Sequence, residues 1–294
     1  MDGLDGRFDR VRAALAGRTE TLWRAVQDAT GRSVARGQRQ LLRLLDGGYD
    51  PPTGPVAPPA IACADLTVAY HGLRAIENVT VEFPPGSMTA IVGPNGGGKS
   101  TLLKAIAGIL WPESGRVDDE GASRHAFAYL PQSDEVDRTF PISTGEFVAF
   151  GAWRGFGAFA PAPAWLGEQI RGALATVGLE DANERPIAAL SVGQFRRVLF
   201  ARLTLQRAPV LLLDEPFAGI DATTTADLLR LIEAWHGEGR TIIAVLHDLV
   251  QVRRHFPRSV LLARRSIAAG NTDAVLSTEN LAAAGFAGAS RNGA

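Results

Sequence analysis

The stretch "GPNGGGKST", Gly93 to Thr101, decides the fold of this chain. It follows the apolar run "MTAIVG", Met88 to Gly93, and it precedes the helical pattern "LLKAIAGIL", Leu102 to Leu110. The spacing is G-x-x-x-x-G-K-S between a strand and a helix, which is the context in which glycine-rich loops bind phosphate. Glycines let successive N–H groups point at phosphate oxygens, and the following helix adds the positive end of its dipole.

Two side chains of this stretch have roles that the spacing predicts. We expect Lys99 to contact the β- and γ-phosphates of a nucleotide and the Ser100 hydroxyl to ligate Mg²⁺. Arginine is the usual basic residue of this chain, whose lysines are Lys99 and Lys104. A lysine used against this preference is expected to have a specific role, and Lys99 lies within the phosphate-binding loop. The other expected nucleotide-binding positions of the loop are Gly93, Pro94, Asn95, Gly96, Gly97, Gly98 and Thr101.

Two more apolar runs end in polar residues. "VLLLDEP", Val210 to Pro216, delivers Asp214 and Glu215, and "TIIAVLHD", Thr241 to Asp248, delivers His247. Continuous apolar runs are typical of buried parallel strands, and ligands bind at the carboxyl ends of such strands. We therefore expect Asp214 to hold Mg²⁺, Glu215 to orient and deprotonate a water molecule, and His247 to lie beside the γ-phosphate.

Composition excludes several classes of protein. The chain has 294 residues, 46% of them hydrophobic, and a formal net charge of -1, which favours a globular core and gives no general attraction to nucleic acid or anionic lipid. Cys63 is the single cysteine, so an intramolecular disulfide and a cysteine-cluster metal site are excluded. Because no apolar run is long enough for a bilayer and no leader pattern is present, we expect a soluble chain that is not exported.

The order of the motifs resembles that of the ATP-binding cassette (ABC) ATPases, over residues 61–275. The shared features are an adenine-stacking aromatic (Tyr70), the Walker A loop (Gly93 to Thr101), the Q-loop (Gln132 in "YLPQ"), the signature ("LSVGQ", Leu190 to Gln194), Walker B (Val210 to Glu215), the D-loop (Asp221 in "AGID") and the switch histidine (His247). The resemblance implies an α/β fold, a P-loop NTPase with an ABC-type nucleotide-binding core, an antiparallel β subdomain and an inserted helical subdomain.

The resemblance also implies residue roles, with ATP and Mg²⁺ as the ligands. The catalytic residues would be Glu215, His247 and Gln132, and the Mg²⁺ ligands would be Ser100, Gln132 and Asp214. In this family the signature of one subunit closes on the ATP of another, so Ser191, Gly193, Gln194 and Asp221 would contact nucleotide on a second copy. Val192 replaces the first glycine of the common LSGGQ, and we expect the contact to survive.

A narrower likeness concerns cargo. The segment "YLPQSDEVDRTFPISTGEFVAFG", Tyr129 to Gly151, resembles the zinc, manganese and iron uptake branch of the ABC ATPases. It implies an ATPase coupled to metal import, with zinc the expected cargo and manganese or iron the alternatives. The implied partners are a second copy of the chain, an integral-membrane permease and, indirectly, an extracytoplasmic metal-binding protein, at the cytoplasmic face of a bacterial plasma membrane. No nucleic-acid partner is expected.

The sequence suggests four regions. Residues 1–48 form an Arg-rich helical extension, 49–60 a Pro-rich linker, 61–275 the ABC ATPase domain with a helical subdomain at about 133–190, and 276–294 a C-terminal tail. Residues 1–48 fit either an additional surface helix or weakly ordered tail, or a basic amphipathic helix that contacts a membrane or partner.

Aromatic residues are concentrated in the expected helical subdomain. They fit either the core of that subdomain or an apolar groove for a helix of the membrane subunit. The residues are Phe140, Phe147, Phe150, Trp153, Phe156, Phe159 and Trp165.

Two other classes of function remain as alternatives. An ABC ATPase acting on DNA or ribosomes is disfavoured because the chain has one cassette and no sustained heptads. A P-loop kinase or regulator without a transporter is disfavoured because the signature and D-loop have no role without a facing subunit. Nucleotide-induced dimerisation would separate these alternatives.

Overall fold

The computed structural model describes residues 57–70, 72–132, 135–153, 163 and 165–286. The expected helical extension, most of the linker, Phe156 and Phe159 lie outside these residues. The described chain forms two compact units. We call the described part of Gly54–Asp137 and Arg207–Ala294 the two-sheet unit, and that of Arg138–Gln206 the helical unit.

All strands of the described residues belong to the two-sheet unit. They are β1 (Ile61–Tyr70), β2 (Leu73–Phe83), β3 (Met88–Val92), β4 (Ser114–Asp118), β5 (Phe127–Leu130), β6 (Val210–Asp214), β7 (Thr241–Val245), β8 (Arg258–Ala263) and β9 (Arg265–Asn271). One sheet has the order β2-β1-β4, and the other has the order β5-β6-β7-β3-β8-β9.

The larger sheet explains the three apolar runs. Strands β3, β6 and β7 are buried at every position, as expected for parallel strands whose two faces are both covered. In the parallel register Asp214 of β6 lies opposite Val245 of β7, and Ile91 of β3 also lies opposite Val245. The three strands therefore end at one edge of the sheet, and the residues that follow them emerge together.

The smaller sheet is antiparallel and half-buried. The predicted strands "LTVAY" and "VTVEF" lie within β1 and β2, which pair antiparallel along their lengths. Apolar side chains of this sheet and of the parallel sheet pack in one core cluster. Its members include Val68, Phe83, Ile91, Leu102, Leu103, Val210, Ile243 and Val260.

Helices of the two-sheet unit connect and flank these strands. They are α1 (Lys99–Ile106), α5 (Ala222–Gly237), α6 (Leu249–His255), α7 (Thr272–Val275) and α8 (Thr278–Ala283). Helix α1 is shorter than the predicted pattern to Leu110, because Gly108 has a φ of 66° and turns the chain. The N–H groups of Ile109 and Leu110 then donate to the carbonyl of Lys104 and close the helix end.

The helical unit contains α2 (Thr144–Ala149), α3 (Leu166–Thr176) and α4 (Val192–Gln206). Helix α2 begins with a capping box, in which Ser143 and Glu146 each accept from the other's backbone N–H. The rings of Phe147 and Phe195 lie 5.7 Å apart between centroids, so this aromatic residue of α2 packs against α4.

Of the other described aromatic residues of this region, Phe140, Phe150 and Trp153 are half-buried and Trp165 is exposed. The Phe150 and Trp153 rings lie 5.3 Å apart, and Trp165 is 38% exposed.

The subdomain expected at about 133–190 overlaps the helical unit, which begins at Arg138 and includes the whole of α4. Over the residues that the structure describes, no helix is both long enough and apolar enough to cross a bilayer.

Candidate functional site

The loop after β3 has a backbone that only glycine permits at two positions. Gly93 has a φ of 156°, and a Cβ there would lie 1.9 Å from the carbonyl oxygen of Leu262. Gly98 has a φ of 89°, and its Cβ would lie 2.2 Å from the Cγ2 atom of Ile76. The glycines therefore allow the loop to curl tightly against its neighbours before α1 begins.

Lys99 lies at the start of α1 and folds over this loop. Its Nζ donates to the carbonyl oxygens of Gly93 at 3.0 Å and Pro94 at 2.9 Å. Burial lowers the pKa of the Lys99 ammonium, and the nearby carboxylates of Glu215 and Asp214 oppose that change. The Lys99 ammonium is thus held by two backbone carbonyls at the N-terminus of α1. The helix dipole favours a bound anion at this end, so the ammonium and the dipole would attract the same anion.

Asp214 ends β6 and is fully buried. Its Oδ1 accepts from the Ser100 hydroxyl at 2.9 Å, and its Oδ2 accepts from the Tyr129 hydroxyl at 3.1 Å. Burial raises the pKa of the Asp214 carboxyl, whereas these two hydrogen bonds lower it. Burial also raises the pKa of the Tyr129 phenol, so the phenol remains a proton donor to the carboxylate.

Glu215 and His247 form a pair at the same edge. The Nε2 atom of His247 lies 2.7 Å from the Oε1 atom of Glu215, and the histidine side chain is 44% exposed. Glu215 has a φ of 47°, a left-handed conformation that non-glycine residues seldom adopt. The pair therefore places a carboxylate beside an imidazole directly after the end of β6.

These groups surround one cavity of about 740 Å³ within the two-sheet unit. Lys99, Gln132, Glu215 and His247 all line it, and Asp214 lies behind Ser100. The lining residues are Ala75, Asn95, Gly96, Gly98, Lys99, Ser100, Thr101, Gln132, Glu215 and His247.

The predicted Mg²⁺ ligands have suitable chemistry. Mg²⁺ prefers oxygen ligands and usually combines one or two carboxylates with phosphate oxygens and water. The Ser100 hydroxyl and the Asp214 carboxylate are already adjacent, and the Gln132 amide lines the same cavity. Within the described part of the chain, no group of three or more His, Cys, Asp or Glu side chains could hold a metal ion. The oxygen atoms of Ser100, Asp214 and Gln132 suit Mg²⁺ that is bound together with a polyphosphate.

Six predicted ligand residues of the two-sheet unit are not part of the cavity lining: Gly93, Pro94 and Gly97 of the loop, Asp214 behind Ser100, and Tyr70 and Asp221. Tyr70 is 40% exposed at the end of β1, where it pairs with Leu73. Asp221 caps α5, accepting from the Thr224 N–H at 2.9 Å and from the Thr224 hydroxyl at 2.7 Å. These hydrogen bonds lower the pKa of Asp221, and they give its carboxylate a structural role within its own chain.

The signature opens α4 in the helical unit. Ser191 accepts from the Gln194 N–H at 3.2 Å, and the Gln194 side chain accepts from the Ser191 N–H at 3.1 Å, so the pair forms a capping box. Val192 is the first helical residue and is 49% exposed, and Gly193 follows it in the first turn. Valine at the place of the usual glycine therefore fits an ordinary helix start.

Two residues at the site were not predicted from the sequence. Ala75 of β2 lines the cavity, and nothing in its local sequence indicates this. Tyr129 donates to Asp214, and its only sequence signal is its place in the "YLPQ" motif before Gln132.

A parallel sheet with this loop, this buried aspartate and this glutamate at one edge defines a P-loop NTPase. The model of the ABC transporter family matches residues 76–218. The manganese transport system ATP-binding protein MntB of Listeria monocytogenes is 39% identical over 221 residues, covering 74% of this chain and 92% of that protein.

Two further comparisons agree. The zinc transport system ATP-binding protein TroB of Treponema pallidum is 39% identical over 215 residues, covering 72% of this chain and 81% of that protein. The solved structure of cbiO1 from Clostridium perfringens, part of the ABC transporter complex cbiONQ, has a TM-score of 0.62 at 27% identity, covering 76% of this chain and 93% of that one. The chain belongs to the ABC transporter family, and it is an ATP-binding subunit with ATPase activity.

Proposed function

We propose that this chain hydrolyses ATP in the cavity described above to power the import of a divalent metal ion through an ABC transporter. The observation that carries the ATPase half is the convergence of Lys99, Ser100, Gln132, Glu215 and His247 on one cavity. The metal half is supported by the names of the relatives, which are manganese and zinc transport proteins.

Each group at the cavity has a role in this proposal. The loop N–H groups and Lys99 bind the phosphates of ATP, which compete with the carbonyls of Gly93 and Pro94 for the ammonium. Glu215 accepts a proton from a water molecule whose oxygen bonds to the γ-phosphorus, and the bond from that phosphorus to the β–γ bridging oxygen breaks to release ADP. His247, paired with Glu215 at 2.7 Å, orients the carboxylate and lies beside the γ-phosphate.

Mg²⁺ would be held by Ser100, Asp214 and Gln132. When bound, the ion neutralises charge on the β- and γ-phosphate oxygens. The chain's own contribution is the buried Asp214 carboxylate, held in place by donors on both oxygens.

A second copy of the chain completes each site in this proposal. The signature of one copy presents the exposed Ser191 and the half-buried Gly193 and Gln194 at a helix N-terminus, which favours a phosphate group. Asp221 would approach the nucleotide of the other copy while it caps α5. ATP then favours the closed dimer and ADP the open one, a population shift that is transmitted to an integral-membrane permease.

The cargo in this proposal is Zn²⁺ or Mn²⁺. The sequence likeness favours zinc, and the relatives carry both names, with manganese for MntB and zinc for TroB. The permease and an extracytoplasmic metal-binding protein would select the ion. This chain would act at the cytoplasmic face of a bacterial plasma membrane.

Replacing Glu215 tests the ATPase half. The Glu215→Gln variant should bind ATP normally, and its turnover should fall by about 10²- to 10⁴-fold, the usual contribution of a general base. ATP binding by isothermal calorimetry and phosphate release by the purified chain would measure the two effects. Normal turnover in this variant would remove Glu215 from the role of base.

Metal uptake tests the cargo half. Cells whose only copy of this protein is wild type or Glu215→Gln would be given radiolabelled zinc or manganese. Loss of uptake of one metal in the variant cells identifies the cargo and the direction of transport together. If neither uptake changed while ATPase activity was lost, the importer assignment would fall and the ATPase assignment would stand.

A further inference from the structure

Arg138 of the helical unit contacts the chain on both sides of the signature. Its Nη2 atom donates to the carbonyl oxygen of Leu190 and, at 3.4 Å, to that of Ile187. Its guanidinium carbon lies 4.9 Å from the centroid of the Phe195 ring, within the range of a cation–π contact. The Arg138 residue is half-buried and Phe195 is buried.

The partners of Arg138 lie before and after the exposed residues of the signature along the chain. Leu190 is the first residue of "LSVGQ", and Phe195 follows its last residue in α4. Between them, Ser191 and Val192 are exposed. The capping box of Ser191 and Gln194 fixes the helix start internally, but it does not hold that start against the rest of the unit.

We infer that Arg138 is a positioning residue for the signature. It holds the first backbone amides of α4 in the orientation needed to bind a phosphate of the ATP that a second copy of the chain holds. The inference rests on the proposed function, in which the signature binds nucleotide in trans. An arginine suits this role because its planar guanidinium can donate two hydrogen bonds and stack on a ring simultaneously. A lysine at this position could donate to a carbonyl but would lose the planar stacking.

The position of Arg138 explains why its effect should be selective. Its partners Ile187, Leu190 and Phe195 all belong to the helical unit, whereas the residues that line the nucleotide cavity belong to the two-sheet unit. Removing the guanidinium should therefore leave nucleotide binding by a single copy intact. It should weaken the step in which two copies close on ATP.

The test uses the full chain with Glu215→Gln as the parent, because slowed hydrolysis preserves the ATP-bound dimer. Arg138→Met and Arg138→Lys are made in this parent, with Arg171→Met, at an exposed arginine of α3, as the matched control. Sedimentation across a range of protein concentrations at saturating ATP and Mg²⁺ gives the dimer dissociation constant. Fluorescence titration with a labelled ADP gives nucleotide affinity of the monomer, and thermal unfolding checks the fold.

Arg138→Met should weaken the ATP-driven dimer by about 10- to 100-fold, the range expected when hydrogen bonds to a charged group are lost. Its ADP affinity should match that of the parent. Arg138→Lys should fall between parent and Arg138→Met, and Arg171→Met should dimerise like the parent.

Two results would overturn the inference. One is an Arg138→Met chain that dimerises like its parent, and the other is a chain that loses ADP affinity and dimerisation together. A parent that does not dimerise with ATP would instead refute the proposed nucleotide-sandwich dimer before Arg138 is altered, and the inference would fall with it.

Discussion

The carboxylate of Asp214 shows how a single residue combines burial with charge. Moving an ionised carboxyl away from water is costly unless its oxygens are hydrogen-bonded. Here Ser100 donates to one oxygen and Tyr129 to the other, at 2.9 and 3.1 Å. The two donors therefore satisfy both oxygens and fix the plane of the carboxylate.

Tyr129→Phe should lower the free energy of unfolding by about 1 to 3 kcal/mol, because the Oδ2 atom of a buried carboxylate loses its donor. Urea unfolding followed by tryptophan fluorescence would measure the change. Tyr70→Phe is a matched control at a tyrosine that is 40% exposed, and it should change stability by less than about 0.5 kcal/mol. Equal stability of the two variants would mean that the hydrogen bond to Asp214 contributes nothing.

At the scale of elements, the turn from β3 into α1 carries the most demanding backbone. Gly98 is the residue before the helix and is left-handed, with a φ of 89°. Ile76 and Ala75 of β2 fill the space that a side chain would need. The same neighbours that exclude a side chain hold the loop at the cavity.

Gly98→Ala should destabilise the chain by about 2 to 5 kcal/mol, since it combines left-handed strain with overpacking. The new Cβ would lie 2.2 Å from the Ile76 side chain and 2.7 Å from the Ala75 carbonyl oxygen. Gly172→Ala, in the exposed interior of α3 with nothing within 4 Å of its Cβ, should instead stabilise by about 0.5 to 1 kcal/mol. Thermal and urea unfolding of the two variants would reveal opposite signs, and a harmless Gly98→Ala would contradict the described loop.

The sequence predicted those elements whose signal is local. Apolar runs predicted β3, β6 and β7, because a buried parallel strand needs apolar residues on both faces. The end of α1 was misplaced because "LLKAIAGIL" is apolar past Ile106, and only the left-handed Gly108 marks the turn. The contacts of Tyr129 with Asp214 and of Arg138 with Leu190 join residues distant in sequence, so no periodicity reveals them.

At the scale of the molecule, the two sheets share one core to which the first described strand belongs. Ile61 opens β1, pairs with Phe83 of β2 and is 1% exposed. The N–H of the preceding Ala60 donates to a Glu120 carboxylate oxygen at 3.1 Å. The chain is thus tied into the fold from residue 60 onward, within the part that the structure describes.

Removing residues 1–55 tests where the folded ATPase begins. Truncation is tolerated where the backbone removed is neither buried nor hydrogen-bonded to the remainder. Because Ala60 and Ile61 hold the start of β1 in place, the truncated chain should fold and keep most of its ATPase activity. Phosphate release and thermal unfolding of the full and truncated chains would be compared, with Glu215→Gln as the inactive control. An aggregated or inactive product would show that residues 1–55 belong to the core, whereas an active product that no longer supported metal uptake in cells would assign them to a partner or membrane surface.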